Sequence, residues 1–379
     1  MVAPVTLAGA MVTAGPTSVA QREIRIHGPR KVLDLAGHML LPGLINAHDH
    51  LEFSLFPKLG HGRYRNSGDW ARDIYHPDRS PIREHLRVPK RVRLWWGGLK
   101  NLLSGVTTVC HHNPYEPAVF GPDFPVRVLR RFAWAHSLEF EPDLAARFRK
   151  APPGYPFLVH CAEGTDARAR RELQTLDSLG ALDRRTAIIH GVAFERADLD
   201  LMQRRGASLI WCPTSNRAML GRTVSRDIFR SGIPIALGTD SALSAPVDLL
   251  DELAVARRYL PAHLEERLYA MVTTIPAKIL GMALRTTACD WVAVCSNARA
   301  PVQALLKGSI ALVVVRGHIR LIAPSLARQL PAAFVRGFQP LTIEGRPTVL
   351  VEADVRALRR AAGKHLGSTL RLAGKRILA

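Results

Sequence analysis

The stretch Leu40-Leu41-Pro42-Gly43-Leu44-Ile45-Asn46-Ala47-His48-Asp49-His50 organises this chain. An apolar run breaks at Pro42-Gly43, resumes, and ends in two histidines one residue apart. Side chains of an extended strand alternate between faces, so His48 and His50 share one face and Asp49 takes the other. Two imidazoles side by side at the end of a buried strand can each offer a nitrogen to a single metal ion. A lone His-x-His is a weak signal, since most such pairs are polar surface residues. Here the pattern recurs. Phe157-Leu158-Val159-His160 is an apolar run followed by Cys161-Ala162-Glu163-Gly164, and Ala187-Ile188-Ile189-His190 is another. Ile233 to Leu237 leads through Gly238-Thr239 into Asp240. Stretches long enough for a helix separate these runs. Barrels of alternating strands and helices collect their active sites at the carboxyl ends of the strands, which is where these residues would fall.

The set His48-x-His50, His160-x-x-Glu163, His190 and Asp240 resembles the amidohydrolase superfamily. Within it, the set is most similar to the branch of cytosine, guanine and adenosine-type deaminases and triazine hydrolases (chlorohydrolases). Gly105-Val106-Thr107-Thr108-Val109, Cys212-Pro213-Thr214-Ser215-Asn216 and Gly238-Thr239-Asp240-Ser241-Ala242 match that branch in its order. The resemblance implies an α/β fold, a (β/α)8 TIM-type barrel over 37-299 with room for an abbreviated fourth strand. It also implies a small β-sandwich built from both chain ends, 1-36 and 300-350. In that family His48, His50, His160 and Asp240 would hold one divalent metal ion, zinc first and ferrous iron second, since nitrogen and oxygen donors suit either. No lysine stands at a strand end to bridge two ions, which argues for one. Water on a catalytic zinc drops from a pKa of ~15.7 to about 7. Asp240 would then take its proton, Glu163 would shuttle a proton to the ring nitrogen or leaving amine, and His190 would orient the water, with direct metal binding as its lesser role. His111, His136 and Asn216 are the expected substrate contacts. The implied activity is hydrolysis of a non-peptide C–N bond, most plausibly deamination of an amino-substituted heterocycle. The alternatives are a cyclic-amide hydrolase resembling imidazolonepropionase and a catalytically silent binding protein on the same scaffold.

Composition is ordinary for a globular protein. Of 379 residues 47% are hydrophobic and 22% charged. Lys plus Arg number 52 against 32 acids, a net charge of +20. The basic residues are scattered, without a dense block or aromatic interleaving, until the last segment, so the excess reads as charge spread over helix surfaces rather than a nucleic-acid site. Five cysteines, three of them in or beside apolar runs, suit reduced buried thiols. No run approaches the ~18 apolar residues of a membrane span, and the first twenty residues lack a secretory pattern. The expectation is a cytoplasmic protein with a small-molecule substrate, no nucleic-acid or membrane partner, and pairing into a homodimer as its relatives commonly do.

Three further expectations follow from the chain in order. Residues 53 to 90 read as a long polar and aromatic loop leaving the first His-bearing strand, a candidate lid. Val126 to His136 shows one strand where the family has two. Residues 351-379 read as a basic helical segment carrying Arg356, Arg359, Arg360, Lys364, Arg371, Lys375 and Arg376, a solvated amphipathic face. Cys161 alternates away from His160, towards the helix layer, which excludes it as a nucleophile.

Overall fold

The apolar passage that ends in His48-Asp49-His50 belongs to two sheets. In the computed structural model, which describes residues 4–13, 19–20, 24–283 and 289–378, the strand His38–Pro42 lies in a mixed sheet and Leu44–Asp49 in a parallel one. Gly43 makes the crossing: its N–H donates to the Asp290 carbonyl (2.9 Å), and a Cβ there would collide with the Thr107 side chain. Only glycine fits such an approach.

Eight parallel strands follow in chain order: β1 (Leu44–Asp49), β2 (Val106–His111), β3 (Arg127–Val128), β4 (Ala133–Ser137), β5 (Phe157–Cys161), β6 (Thr186–His190), β7 (Ser208–Trp211) and β8 (Ile235–Leu237). They form two sheets, β1-β2-β3 and β4-β5-β6-β7-β8. At one seam an Asp49–Asp240 bridge, with the Thr239 and Asp240 N–H groups donating to the His48 carbonyl (2.9 and 3.1 Å), joins β1 to the end of β8. At the other seam no ladder joins β3 to β4 among the described residues. Both sheets share an apolar stack: Ile45 and Ala47, Cys110, Leu158, Ala187 and Ile189, Ile210 and Cys212, and Ala236. The alternate residues, such as Val159, Cys161, Ile188 and Leu209, face a second apolar layer beneath the helices. Runs buried on both faces read as continuously hydrophobic, which is why these strands stand out in the sequence.

The covering helices named below are α1 (Ser67–Ile74), α2 (Ile82–Arg87), α3 (Lys90–Leu103), α4 (Ala167–Ser178) and α5 (Pro213–Leu220). α4 starts where Asp166 accepts the Ala169 N–H (2.9 Å).

Both chain ends build the rest. Pro4–Ala8 pairs antiparallel with Ile24–His27 and parallel with Lys31–Asp34. This small sheet shares Val5, Leu7, Ile26 and Leu33 in one core with Leu40, Leu312, Val314 and Ile322 of the ten-stranded mixed sheet. The hairpin Ser309–Val315 to His318–Ile322 turns at Arg316 (φ 55°) and Gly317 (φ 80°), two left-handed residues that match the strand twist.

Four expectations need correcting. Val126 to His136 is not one strand but two short ones, β3 pairing with β2 and β4 with β5, with too few residues between for a helix. The abbreviated strand is therefore the third in order, not the fourth. Residues 53 to 90 are not a plain loop, since they carry α1 and α2. His38–Pro42 and Trp291–Cys295, inside the span 37-299 assigned to the barrel, pair with each other in the mixed sheet. The end of the chain is only partly helical: Val355–Leu366 is a helix, ended at Gly367 (φ 78°), and Arg371–Leu372 with Lys375–Leu378 is a hairpin on the strand Gln339–Ile343. Alternation of buried Leu370, Leu372 and Ile377 with exposed Arg371 and Leu378 overrides helical spacing there. Its basic residues also find acids: Lys375 meets Asp248 and Asp251, and Arg376 meets Glu344.

Candidate active site

β1 ends with His48 and His50 on the side of the apolar stack, β5 ends with His160, β6 with His190, and the turn after β8 carries Asp240. All five are buried. His48, His160, His190 and Asp240 each offer a ligand atom within 4.8 Å of the others. His50 joins them from the side, its Nε2 3.6 Å from Asp240 Oδ1. His48 Nε2 lies 3.3 Å from that same oxygen and 3.2 Å from His160 Nε2.

The outer nitrogens decide what the inner ones are. His160 Nδ1–H donates to the His136 carbonyl (2.8 Å), and His190 Nδ1–H to Asn216 Oδ1 (2.8 Å). His50 Nδ1–H donates to Asn113 Oδ1 (3.1 Å), an amide fixed in turn by its Nδ2–H bond to Glu52. Each acceptor is a carbonyl oxygen, so the proton sits on Nδ1 and a bare lone pair on Nε2 points inward. Burial pulls His48 down to about 4, and His160 and His190 below the usual imidazole value, keeping the rings neutral. Asp240 is the opposite case. Burial would raise its carboxyl, but its contacts with the surrounding imidazoles, His48 first, outweigh it and hold it well below the carboxylate range. The Ser215 and Ser244 hydroxyls lie 2.5 and 3.0 Å from Asp240 Oδ2, leaving Oδ1 for the histidines. Several lone pairs and an anion aimed at one another repel unless a cation lies among them. The donor set therefore fits a divalent ion, with outer partners of the kind that orient metal-binding histidines.

Glu163 reaches the same cavity by a detour. Continued alternation after His160 would send Ala162 inward and Glu163 towards the helices. Instead Ala162 takes a left-handed conformation (φ 56°), packs in the helix-side layer, and turns Glu163 into the cavity. Its Oε1 is 3.2 Å from His190 Nε2. Burial, then the nearby Asp240 charge, push the Glu163 carboxyl well above its usual value, which favours its protonated form. His190 (φ 79°) and Asp240 (φ 56°) are also left-handed. Non-glycine residues in that region cost of order 1–3 kcal/mol each and cluster at functional sites.

The cavity holds about 420 Å³ and is walled by Phe53, Trp70, Tyr75, Trp134 and Phe140. Among its described lining residues none is Lys or Arg. His136 lines it, while Asn216 stands behind His190. His111 does not line it: it shares register with Asp49, so both side chains point to the helix layer, where His111 meets Glu52 (3.5 Å). The expected substrate contact at His111 is thus corrected, and His112 is the member of that pair beside the His48 and His160 rings. Cys161 lies among the helix-side residues. All five cysteines are free. The Cys212 to Asn216 motif contains Ser215, but its contact with Asp240, like that of Ser244, becomes visible only in space.

The chain is similar to several known proteins. Residues 157–288 match the model of the amidohydrolase family. A 5-methylthioadenosine/S-adenosylhomocysteine deaminase of Natronomonas pharaonis is 26% identical over 298 residues, 65% of each chain, so the match spans just under two thirds of that protein. Its counterpart in Syntrophobacter fumaroxidans is 25% identical over 340 residues, 74% of this chain and 75% of its own. A zinc-bound adenosine deaminase of Xanthomonas campestris superposes with a TM-score of 0.65 at 16% identity, covering 96% of this chain and 98% of its own. A zinc-complexed atrazine chlorohydrolase of Arthrobacter aurescens gives 0.61 at 16% identity, covering 96% and 100%. Those two likenesses show a shared TIM-barrel-type α/β fold. The chain is thereby similar to the amidohydrolase family over residues 157–288, and to the two deaminases at 25–26% identity.

Proposed function

We propose that this protein is a metal-dependent hydrolase that deaminates an amino-substituted heterocycle. The observation that carries the reading is the convergence of His48, His160, His190 and Asp240, with His50 beside them, on the floor of an aromatic-walled cavity. His48, His50, His160 and Asp240 would hold one divalent ion, zinc before ferrous iron, with His190 next to them. Such an ion, when bound, supplies a Lewis acid and makes water a nucleophile near neutral pH.

The chain's own residues do the rest. Trp70, Trp134 and Phe140 offer flat apolar walls to a ring, and the lack of a cationic lining favours a substrate without phosphate. Asp240, ionised across the neutral range, accepts a proton; Glu163, held neutral, delivers one to the ring nitrogen or departing amine. His190 orients the attacking water from Nε2, its ring locked by Asn216. His136 contacts substrate at the wall. The segment 53–90 covers the cavity: Ser67 N–H donates to the Glu163 carbonyl (3.0 Å), and Leu59 N–H to that of Leu243 (2.8 Å). The scaffold in this reading is a (β/α)8 barrel, pinched at β3, beside a β-sandwich made from both chain ends. Its partner is a small molecule, met in the cytoplasm by a homodimer.

The test is ammonia release from a panel of aminopurines, aminopyrimidines, pterins and lactams by zinc-loaded and iron-loaded protein. Glu163→Gln should abolish turnover while metal content stays unchanged. Ring opening of lactams without ammonia would transfer the reading to cyclic-amide hydrolysis. Protein that binds no metal and is indifferent to Glu163→Gln would mark a silent scaffold.

A further inference from the structure

We propose that Glu172, on α4, is a positioning residue for Glu163, acting through the backbone of Ala162. The inference rests on the reading of Glu163 as the proton-transfer group, and starts from an unusual backbone. At the end of β5 the N–H groups should continue the ladder with β6, yet β5 stops at Cys161 and Ala162 turns left-handed (φ 56°). That turn alone brings Glu163 into the cavity, because regular alternation would face it towards the helices. An alanine has no intrinsic reason to adopt it, since a Cβ crowds the backbone there. Something must hold it.

The surroundings of residues 161–164 show what does. The Cys161 carbonyl accepts the Gly191 N–H (3.1 Å), and the Ala162 carbonyl accepts the Ala193 N–H (3.0 Å). The Glu163 carbonyl accepts the Ser67 N–H (3.0 Å), and Gly164 bridges Asn66. These bonds come from the loop after β6 and from the cover. The N–H of Ala162, a residue 1% exposed, faces neither; it donates to Glu172 Oε2 at 2.6 Å. Without that carboxylate a buried donor goes unmatched, and the cheapest repair is to relax Ala162 towards extended φ so that its N–H turns to another partner. Relaxation returns Glu163 towards the helix side. Glu172 stands one helix face away from the substrate cavity and is absent from its lining, so it acts only through this bond.

The experiment compares full-length zinc-loaded wild type, Glu172→Ala, Glu172→Gln and the double variant Glu172→Ala/Ala162→Gly. Turnover is followed on the panel substrate that wild type handles best, with hydrogen exchange of the peptide spanning 157–166. Glu172→Ala should lower kcat about 100-fold, the size expected of a misplaced proton-transfer group, with KM and metal content unmoved. Exchange should quicken about tenfold in 157–166 and stay unchanged in peptides holding His48 or Asp240. Glu172→Gln, which keeps an acceptor oxygen, should restore both readings. In the double variant glycine accepts the left-handed conformation freely, so most of the lost kcat should return; that variant also serves if Glu172→Ala fails to fold. Unchanged kcat and exchange in Glu172→Ala, equal loss in Glu172→Gln, or faster exchange throughout the protein would overturn the inference. A wild type that deaminates nothing would sink the proposed function instead, while the exchange pattern would still decide the role of Glu172.

Discussion

Lys100→Met probes the buried network beneath the histidine pair. Lys100 is 3% exposed and Asp49 not at all, and Nζ donates to Asp49 Oδ1 at 2.9 Å. Asn101 and Asn46 donate to Asp49 Oδ2 at 2.7 and 3.2 Å, and Asn46 also binds the Thr239 hydroxyl (2.9 Å), next to Asp240. The pair thus ties α3 under β1 and links β1 to the turn after β8. Removing one partner of a buried ion pair costs about 3–5 kcal/mol, because the remaining charge stays out of water. The two asparagine bonds survive in the variant and favour the lower half of that range. With about 2.1 cal/mol/K of unfolding entropy per residue, 379 residues give ~0.8 kcal/mol/K, so Tm should fall by ~4–5 °C. Asp49→Asn combined with Lys100→Met removes both charges while keeping an acceptor for Asn101, and should recover most of the loss. Differential scanning calorimetry of metal-loaded protein measures both. A drop below about 1 °C in the single variant, or an equal drop in the double one, would refute the claim that the pair's mutual compensation, not side-chain packing, matters here.

Three other outcomes follow from the same structure. Glu252 is fully buried, its Oε2 accepting the Thr214 N–H and hydroxyl (3.1 and 3.0 Å), and burial pushes its carboxyl well above the ordinary 4.5. The folded state therefore holds a proton that the unfolded chain releases, so this group loses the protein stability as pH rises above 4.5; Glu252→Gln should gain Tm over wild type at pH 8 and little at pH 5. Gly238→Ala would set a Cβ 2.7 Å from that of His48, forcing β1 and the Asp240 turn apart; metal affinity by titration should drop about 10–100-fold, and retained affinity would contradict the proposed ligand set. Chelation should lower Tm, and zinc at 100 times its Kd should restore about 2.7 kcal/mol; a Tm indifferent to both would count against the site.

Much of the site was legible because alternation is local. The apolar runs before His48, His160 and His190 are buried on both faces, so every second residue had to face the inner stack, and His48 with His50 had to point together. Glu163 breaks that rule and was reached only through resemblance to a family; the left-handed Ala162 that redirects it carries no mark in the sequence, since any alanine would look the same. His111 and His112 show the reverse limit. Alternation says that one of two neighbours faces inward, but register against Asp49 settles which.

Local patterning was enough to single out the five buried cluster residues, because each depends on neighbours a few positions away. The shape of the barrel at β3 and β4, the hairpin at the chain's end, Ser215 and Ser244 on Asp240, and Glu172 under Ala162 depend on partners brought together by the packed core. Lys100 and Asp49 stand 51 positions apart. Nothing in either neighbourhood announces the other, and only burial without water makes their bond necessary.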